Sequence, residues 1–280
     1  HELSGELVAA DNAADFVIGE SVTFIPYFSC GKCIACWSGK RNCCTSIKVC
    51  GVHQDGGMTE FLSVPSYSLM HGEGLSFDEL ALIEPLAIGA HGVRRADVQP
   101  GEFVLVNGAG PIGLGTMEFA RIAGGRVIAL DINESRLKYC KEKMQVAHTI
   151  NALDKNVTEQ LMVITNGDMP TVVIDASGNL NAINTAFNYM AHGARYVLIG
   201  LQKGIISFSH PEFHKREATL MSSRNATRED FNSVISAMKN KLVDPVSFIT
   251  HRVSFDGVKD EFKEWTNPGK GVIKAMITID

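Results

Sequence analysis

Phe103-Val104-Leu105-Val106-Asn107-Gly108-Ala109-Gly110-Pro111-Ile112-Gly113 runs from an apolar strand through a G-x-G-x-x-G turn into a helical pattern. Each glycine has a separate physical task. Gly108 permits the tight turn, Gly110 lets backbone approach a pyrophosphate, and Gly113 lets helix and strand pack closely. The helix opening at Pro111 and Ile112 offers free N–H groups and a positive dipole end to phosphate. The next strand, RVIALD, ends on Asp131. A carboxylate there accepts hydrogen bonds from the ribose hydroxyls of an adenosine and repels a 2′-phosphate, which favours NAD over NADP. Arg136, about one helical turn further on, is expected to lie along the adenine. A glycine turn in a domain that binds no dinucleotide is the plainer alternative.

Working outward, the α/β alternation continues on both sides of this turn. IGLGTMEFARIA and ESRLKYCKEKM have helical periodicity, while TVVIDAS and RYVLIG read as buried strands. Continuous apolar strands alternating with helices predict a doubly wound parallel sheet covered on both faces, the Rossmann arrangement. EDFNSVISAMKNK reads as a later helix and GVIKAMITI as a closing strand. Upstream the texture differs. Residues 1–70 read as short strands and glycine turns, with ELVAA, SVTFIPY and TEFLSVP as strands and Asp55-Gly56-Gly57 as a turn. Ser76 and Glu79 form a capping-box pattern that opens a helix. The chain is therefore expected to be α/β, with a β-rich domain joined to the dinucleotide domain.

The β-rich part carries Cys30, Cys33, Cys36 and Cys44 as C-x2-C-x2-C-x7-C. Four thiolates so close in sequence can enclose one tetrahedral ion, and a closed four-cysteine shell is the usual structural zinc site. Disulfides or ordinary buried thiols are the alternative, but 280 residues with 45% apolar content do not describe a small disulfide-stapled domain. Seven cysteines, four of them assigned to metal, fit a reducing cytoplasm. A net charge of −5 gives no general electrostatic support to nucleic-acid binding. Lys32, Lys40, Arg41 and Lys48 make the cysteine lobe locally basic, but such a lobe lacks a paired recognition helix. No apolar run reaches the length of a membrane span.

Together these motifs resemble the zinc-containing medium-chain alcohol and polyol dehydrogenases. His1-Glu2 matches the end of the family's G-H-E motif, the four cysteines its structural-zinc lobe, and Glu84-Pro85-Leu86 the E-P-L segment of its polyol branch. Gly108–Gly113 with Asp131 matches its cofactor turn, and Asp175-Ala176-Ser177-Gly178 a further strand end, which implies a cofactor role for Ser177. GVHQDGG, PEFHKRE and SSRNATREDF look most like the bacterial sugar-acid members. The resemblance implies a GroES-like catalytic domain over residues 1–85 and 224–280, with the zinc lobe at 30–44, and a Rossmann domain over 86–223.

The resemblance also implies chemistry. His1, Glu2 and Glu84 would surround a catalytic zinc, which leaves a position open for substrate, and NAD would accept hydride from a secondary hydroxyl of a sugar acid or polyol such as L-galactonate. Arg224 falls where polyol members place an arginine facing the glutamate. It would fork onto a substrate carboxylate or form a domain-junction ion pair. His53 is a candidate for polyol binding or proton relay, with a structural loop role as its alternative. His91 reads as a packing residue and His251 as fold-supporting, while His214 and Lys215 are expected near the subunit interface or cleft with no assigned role. Family members begin with a further strand-rich segment before G-H-E, containing a catalytic-zinc cysteine and a relay serine or threonine. The chain is thus expected to have an intact structural site and an incomplete catalytic one. A homodimer or homotetramer, with no nucleic-acid or membrane partner, is implied. A polyol or L-threonine type dehydrogenase of the same family, an impaired NAD-binding module or redox sensor, and a nucleic-acid zinc module are the competing functions.

Overall fold

The computed structural model describes residues 1–11 and 15–279, and these form two compact units. One comprises His1–Ala87 with Asn225–Asp280, the other Ile88–Arg224. Among the described residues, no helix is long and apolar enough to cross a membrane.

The second unit is built on six parallel strands. Their spatial order is Thr219–Ser222, Arg195–Leu198, Val172–Asp175, Phe103–Asn107, Arg126–Asp131 and His148–Asn151. The chain enters at Phe103–Asn107, winds outward to one edge, then returns past its starting strand to the other. That reversal is the topological switch point of a doubly wound sheet, where ligands bind beyond the carboxyl ends of the strands. The two strands beside the switch, Phe103–Asn107 and Val172–Asp175, are almost wholly buried, which explains their unbroken apolar runs. Leu105, Ile128, Leu130, Val173 and Tyr196 form the centre of this core.

The first unit is assembled from small sheets. Ser4–Glu6, Ser21–Phe24 and Leu69–His71 pair antiparallel, as do Tyr27–Phe28 and Lys48–Val49, while Ile249–Ser254 and Lys274–Thr278 pair in parallel. Leu7, Val22, Phe24, Cys50 and Leu69 form a compact core. The helix Phe77–Ala81 begins at Ser76 with both bonds of the capping box in place.

Two expected strands are absent. Of ELVAA only Glu6 belongs to a strand, and Leu7 instead turns into the core with its N–H on the Glu20 carbonyl. TEFLSVP forms no strand: it runs as irregular backbone, with Val64 packed against the compact core. Phe61 is 65% exposed, and residues 59–64 line an open cavity of about 1180 Å³.

Arg252 forks onto Asp78 at 3.0 and 2.5 Å, joining the strand Ile249–Ser254 to the capped helix. Hydrogen bonding from Arg252, against a smaller opposing effect of burial, holds the Asp78 carboxyl below its usual pKa. A depressed carboxyl pKa adds stability above the unfolded value, about 3.9, that is lost as pH falls through the folded one. Both side chains remain partly exposed, so the pair is worth no more than about 1 kcal/mol. Asp78→Asn should lower the melting temperature slightly at neutral pH and not at all near pH 2, readable by calorimetry at the two pH values.

Candidate active site and metal centres

The cysteine lobe is folded around its four thiols. Cys33 stands at the N-cap of the short helix Ile34–Trp37, and a 3-10 turn, Arg41–Cys43, delivers Cys44. The four sulfur atoms lie within 4.8 Å of one another, with 3.5 Å between Cys33 Sγ and Cys36 Sγ. Zinc–sulfur bonds of about 2.3 Å in a tetrahedron place the sulfurs about 3.8 Å apart, so the cluster has the size of a zinc shell. The N–H groups of Cys30 and Ser46 donate to Cys44 Sγ at 3.3 and 3.4 Å. Backbone N–H groups, chiefly that of Thr45 and then that of Cys36, bring the Cys33 thiol down to about 5. The Lys32 N–H likewise lowers Cys30, while burial raises Cys36. Donors aimed at sulfur stabilise thiolates, the form that binds metal. The residues present fit a closed structural zinc.

The glycine turn has the features of a phosphate cradle. Gly108 has φ +105°, and a Cβ there would lie 2.8 Å from the Ser177 nitrogen. A Cβ on Gly113 would lie 1.8 Å from the Gly108 carbonyl oxygen, so helix and strand are in backbone contact. Gly110 differs, since its Cβ would meet only Arg136 Nη1, at 3.9 Å. The space above Gly110 is open, and Arg136 reaches back over it. The helix Pro111–Ile122 starts at Gly110 without a side-chain cap. The neighbouring helices Glu134–Glu142 and Leu180–Ala186 are capped by Asn133 and Asn179. The N–H groups at Ile112 and Gly113 thus lack the side-chain acceptor their neighbours have, and they suit an anionic one.

Asp131 is held by backbone at the end of its strand. Oδ2 accepts from the Ala109 N–H at 2.6 Å and Oδ1 from the Asn133 N–H at 2.8 Å. Each carboxylate oxygen keeps a second lone pair for a ribose hydroxyl. Ser177 lies against the turn, but its hydroxyl donates to Asp175 Oδ1 at 2.6 Å and accepts from the Asn179 N–H at 3.1 Å. Asp175 is fully buried, and burial raises its carboxyl pKa against the hydrogen bonds it accepts from Ser177 and Gly178. The Ser177 side chain therefore braces the turn from its own strand into the next helix, leaving its backbone nearest the glycine turn.

The third cluster brings together His1, Glu2 and Glu84, whose ligand atoms lie within 4.8 Å of one another. His1 Nδ1 is 3.6 Å from Glu84 Oε2. Glu84 is 4% exposed in the first turn of the helix Ile83–Ala96. Hydrogen bonding to Glu84 raises the His1 pKa; burial opposes this, and the charges of Glu84 and Glu2 add to it. Two carboxylates that favour a proton on His1 also favour a metal cation in that place, and a His plus carboxylate donor set suits zinc. Two contacts have no signal in local spacing. Tyr27 Oη donates to Glu84 Oε1, and Lys274 Nζ donates to Glu2 Oε2. Both partners come from distant strands.

His53 is not among the three residues of this cluster. His53 Nδ1 accepts the Val49 N–H at 3.0 Å and closes a turn, which is the structural alternative for that residue. Arg224 is exposed and ends the other unit. His91 Nδ1 pairs with Arg94 Nη2 at 3.2 Å within one helix, and His214 and Lys215 lie on the exposed helix His210–Lys215.

Known proteins share this arrangement. Residues 111–240 match the zinc-binding dehydrogenase family, and residues 1–73 match the alcohol dehydrogenase GroES-like domain. L-galactonate-5-dehydrogenase of Escherichia coli is 42% identical over 280 residues, covering 100% of this chain and 82% of the relative. Sorbitol dehydrogenase of Bacillus subtilis is 31% identical over 282 residues, covering 99% and 79%. The crystal structure of the short chain alcohol dehydrogenase rspB from Escherichia coli, complexed with cofactor NADH, superposes with a TM-score of 0.92 at 30% identity, covering 99% and 82%. With the four-cysteine lobe, the glycine turn and matches that span its whole length, the chain belongs to the zinc-containing alcohol dehydrogenase family, as an oxidoreductase of the polyol and sugar-acid type.

Proposed function

We propose that the protein oxidises a secondary hydroxyl of an aldonate, with L-galactonate the first candidate, and reduces NAD. The observation that carries the substrate is the 42% identity to L-galactonate-5-dehydrogenase across the full chain. Gly108, Gly110, Pro111, Ile112 and Gly113 receive the pyrophosphate and Asp131 the adenosine ribose, while Arg136 lies along the adenine. Cys30, Cys33, Cys36 and Cys44 hold a structural zinc, and His1, Glu2 and Glu84 hold a catalytic one. When bound, the catalytic zinc supplies Lewis acidity toward the substrate hydroxyl and NAD supplies the hydride acceptor. Glu84, buried in the first turn of its helix, keeps His1 and the cation in place, while Lys274 pairs with Glu2. Arg224 supplies a fork for the substrate carboxylate. The protein works in the cytoplasm as a homodimer or homotetramer.

A polyol reading is supported by the 31% identity to sorbitol dehydrogenase. The two separate in a panel of aldonates and uncharged polyols, offered with NAD to the zinc-replete protein. The aldonate reading expects kcat/KM for L-galactonate at least about tenfold above that for sorbitol, a difference of 1.4 kcal/mol in transition-state binding. The reverse order would favour the polyol, and no NADH from any member would remove both.

Cofactor choice has its own test. Asp131→Ser removes the charge opposed to a 2′-phosphate, so the ratio of kcat/KM for NAD over NADP should fall roughly tenfold to a hundredfold, or about 1.4–2.8 kcal/mol. NAD affinity should fall as well, because serine cannot hold both the Ala109 and Asn133 amides. An unchanged ratio in steady-state kinetics would place the adenosine elsewhere.

A further inference from the structure

Tyr27 belongs to the short strand Tyr27–Phe28, paired with Lys48–Val49, and is 8% exposed. Its hydroxyl donates to Glu84 Oε1, while His1 faces the other oxygen, Oε2, at 3.6 Å. Its ring meets the fully buried Phe231 edge-on, with centroids 6.4 Å apart and planes at 80°. We infer that Tyr27 is a positioning residue for the metal site: it engages one oxygen of Glu84 and so presents the other to the cation shared with His1 and Glu2. The inference rests on the reading of Glu84 as part of that site.

The reason is geometric. A carboxylate has two equivalent oxygens and about four acceptor positions, so an unanchored glutamate offers a cation several arrangements. A phenol is a single donor at the end of a rigid ring. With the ring fixed by Phe231, the hydroxyl cannot follow Glu84 if the carboxylate rotates. Partners of this kind, one layer out from the ligands, typically change metal affinity or activity by about 10–100-fold when removed. Phenylalanine keeps the ring and its contact with Phe231 and deletes only the donor.

The test uses cobalt(II) alone as the probe, titrated into protein whose cysteine site already holds zinc, with binding followed by visible absorbance. Tyr27→Phe should weaken cobalt binding about 10–100-fold. It should leave the cysteine-bound zinc and the affinity for NAD unchanged, which shows that the fold is intact. Glu84→Gln should weaken cobalt binding as well. The double variant should bind cobalt no more weakly than Glu84→Gln alone, within about twofold, because Tyr27 acts through Glu84. Should Tyr27→Phe fail to fold, Phe231→Leu loosens the ring while keeping the hydroxyl and should weaken cobalt in the same direction. Wild-type affinity in Tyr27→Phe, or in Phe231→Leu if that variant is needed, alongside a weakened Glu84→Gln would overturn the role of Tyr27 and leave the metal site standing. Wild-type affinity in Glu84→Gln would overturn the metal site itself, and the inference with it.

Discussion

Gly113→Ala should cost the protein both stability and its dinucleotide. The added methyl would stand 1.8 Å from the Gly108 carbonyl oxygen and 2.8 Å from its carbon. Both are backbone atoms, so no side chain can turn aside, and the helix Pro111–Ile122 must move off its strand. That movement carries the Ile112 and Gly113 N–H groups away from the phosphate position. Losing two charge-assisted hydrogen bonds of about 1.5–3 kcal/mol each corresponds to at least a hundredfold weaker NAD binding. Overpacking of a buried contact adds about 1–3 kcal/mol of destabilisation. Gly110→Ala separates the two effects. Its methyl would meet only Arg136 Nη1 at 3.9 Å, so the melting temperature should be unchanged while NAD binding falls. Calorimetric titration with NAD and thermal melts of both variants check this. Near-normal NAD affinity in Gly113→Ala would show that the cofactor does not use this turn.

Cys36→Ser should release the structural zinc. Cys36 is buried and its sulfur lies 3.5 Å from that of Cys33, so serine leaves a three-thiolate shell open to water. Structural zinc sites contribute folding energy outright, and loss of one ranks among the largest single-substitution effects, upward of about 4 kcal/mol. The lobe has little else to hold it. Its helix Ile34–Trp37 is one turn long, and Trp37 is 75% exposed. One anchor among the described residues is the Asn225 side chain, donating to the Asn42 carbonyl at 3.0 Å. Trypsin should therefore cut Cys36→Ser rapidly at Lys32, Lys40 and Arg41, and elemental analysis should show one zinc fewer per chain. A variant that kept its zinc and its resistance to trypsin would remove the cysteines from the metal shell.

The elements that were legible in the sequence share a physical cause. FVLVN, RVIALD and TVVID are buried on both faces, and such strands must be apolar throughout. Ser76 and Glu79 bond each other locally, so four residues of sequence contain the whole motif. His148–Asn151 and Thr219–Ser222 escaped notice because they are the two edges of the sheet, half-exposed and without an apolar run. Val258–Trp265 does carry a helical signal, with Val258, Phe262 and Trp265 repeating at i, i+4 and i+7 between charged residues. TEFLSVP carries strand-favouring residues but forms no strand, since strand preference depends on neighbours outside the segment.

The site divides in the same way. Four cysteines within one lobe and three glycines within one turn are local patterns that reveal their ligand. Glu84 owes its setting to Tyr27 and His1, and Glu2 owes its own to Lys274 at the far end of the chain. Contacts between such distant residues follow from tertiary folding, with no spacing rule to announce them. His53 carries two readings in sequence, a loop support and a polar group for substrate, and its Nδ1 accepts the Val49 N–H within a backbone turn.

The most direct measurement mixes zinc-replete protein with NAD and L-galactonate and follows NADH absorbance beside the keto acid formed. One NADH should appear for each hydroxyl oxidised, with the rate in Glu84→Gln at least about a hundredfold lower, equivalent to some 2.7 kcal/mol of lost transition-state stabilisation. A keto acid formed without NADH, or full turnover in Glu84→Gln, would contradict hydride transfer to NAD at a site built on Glu84.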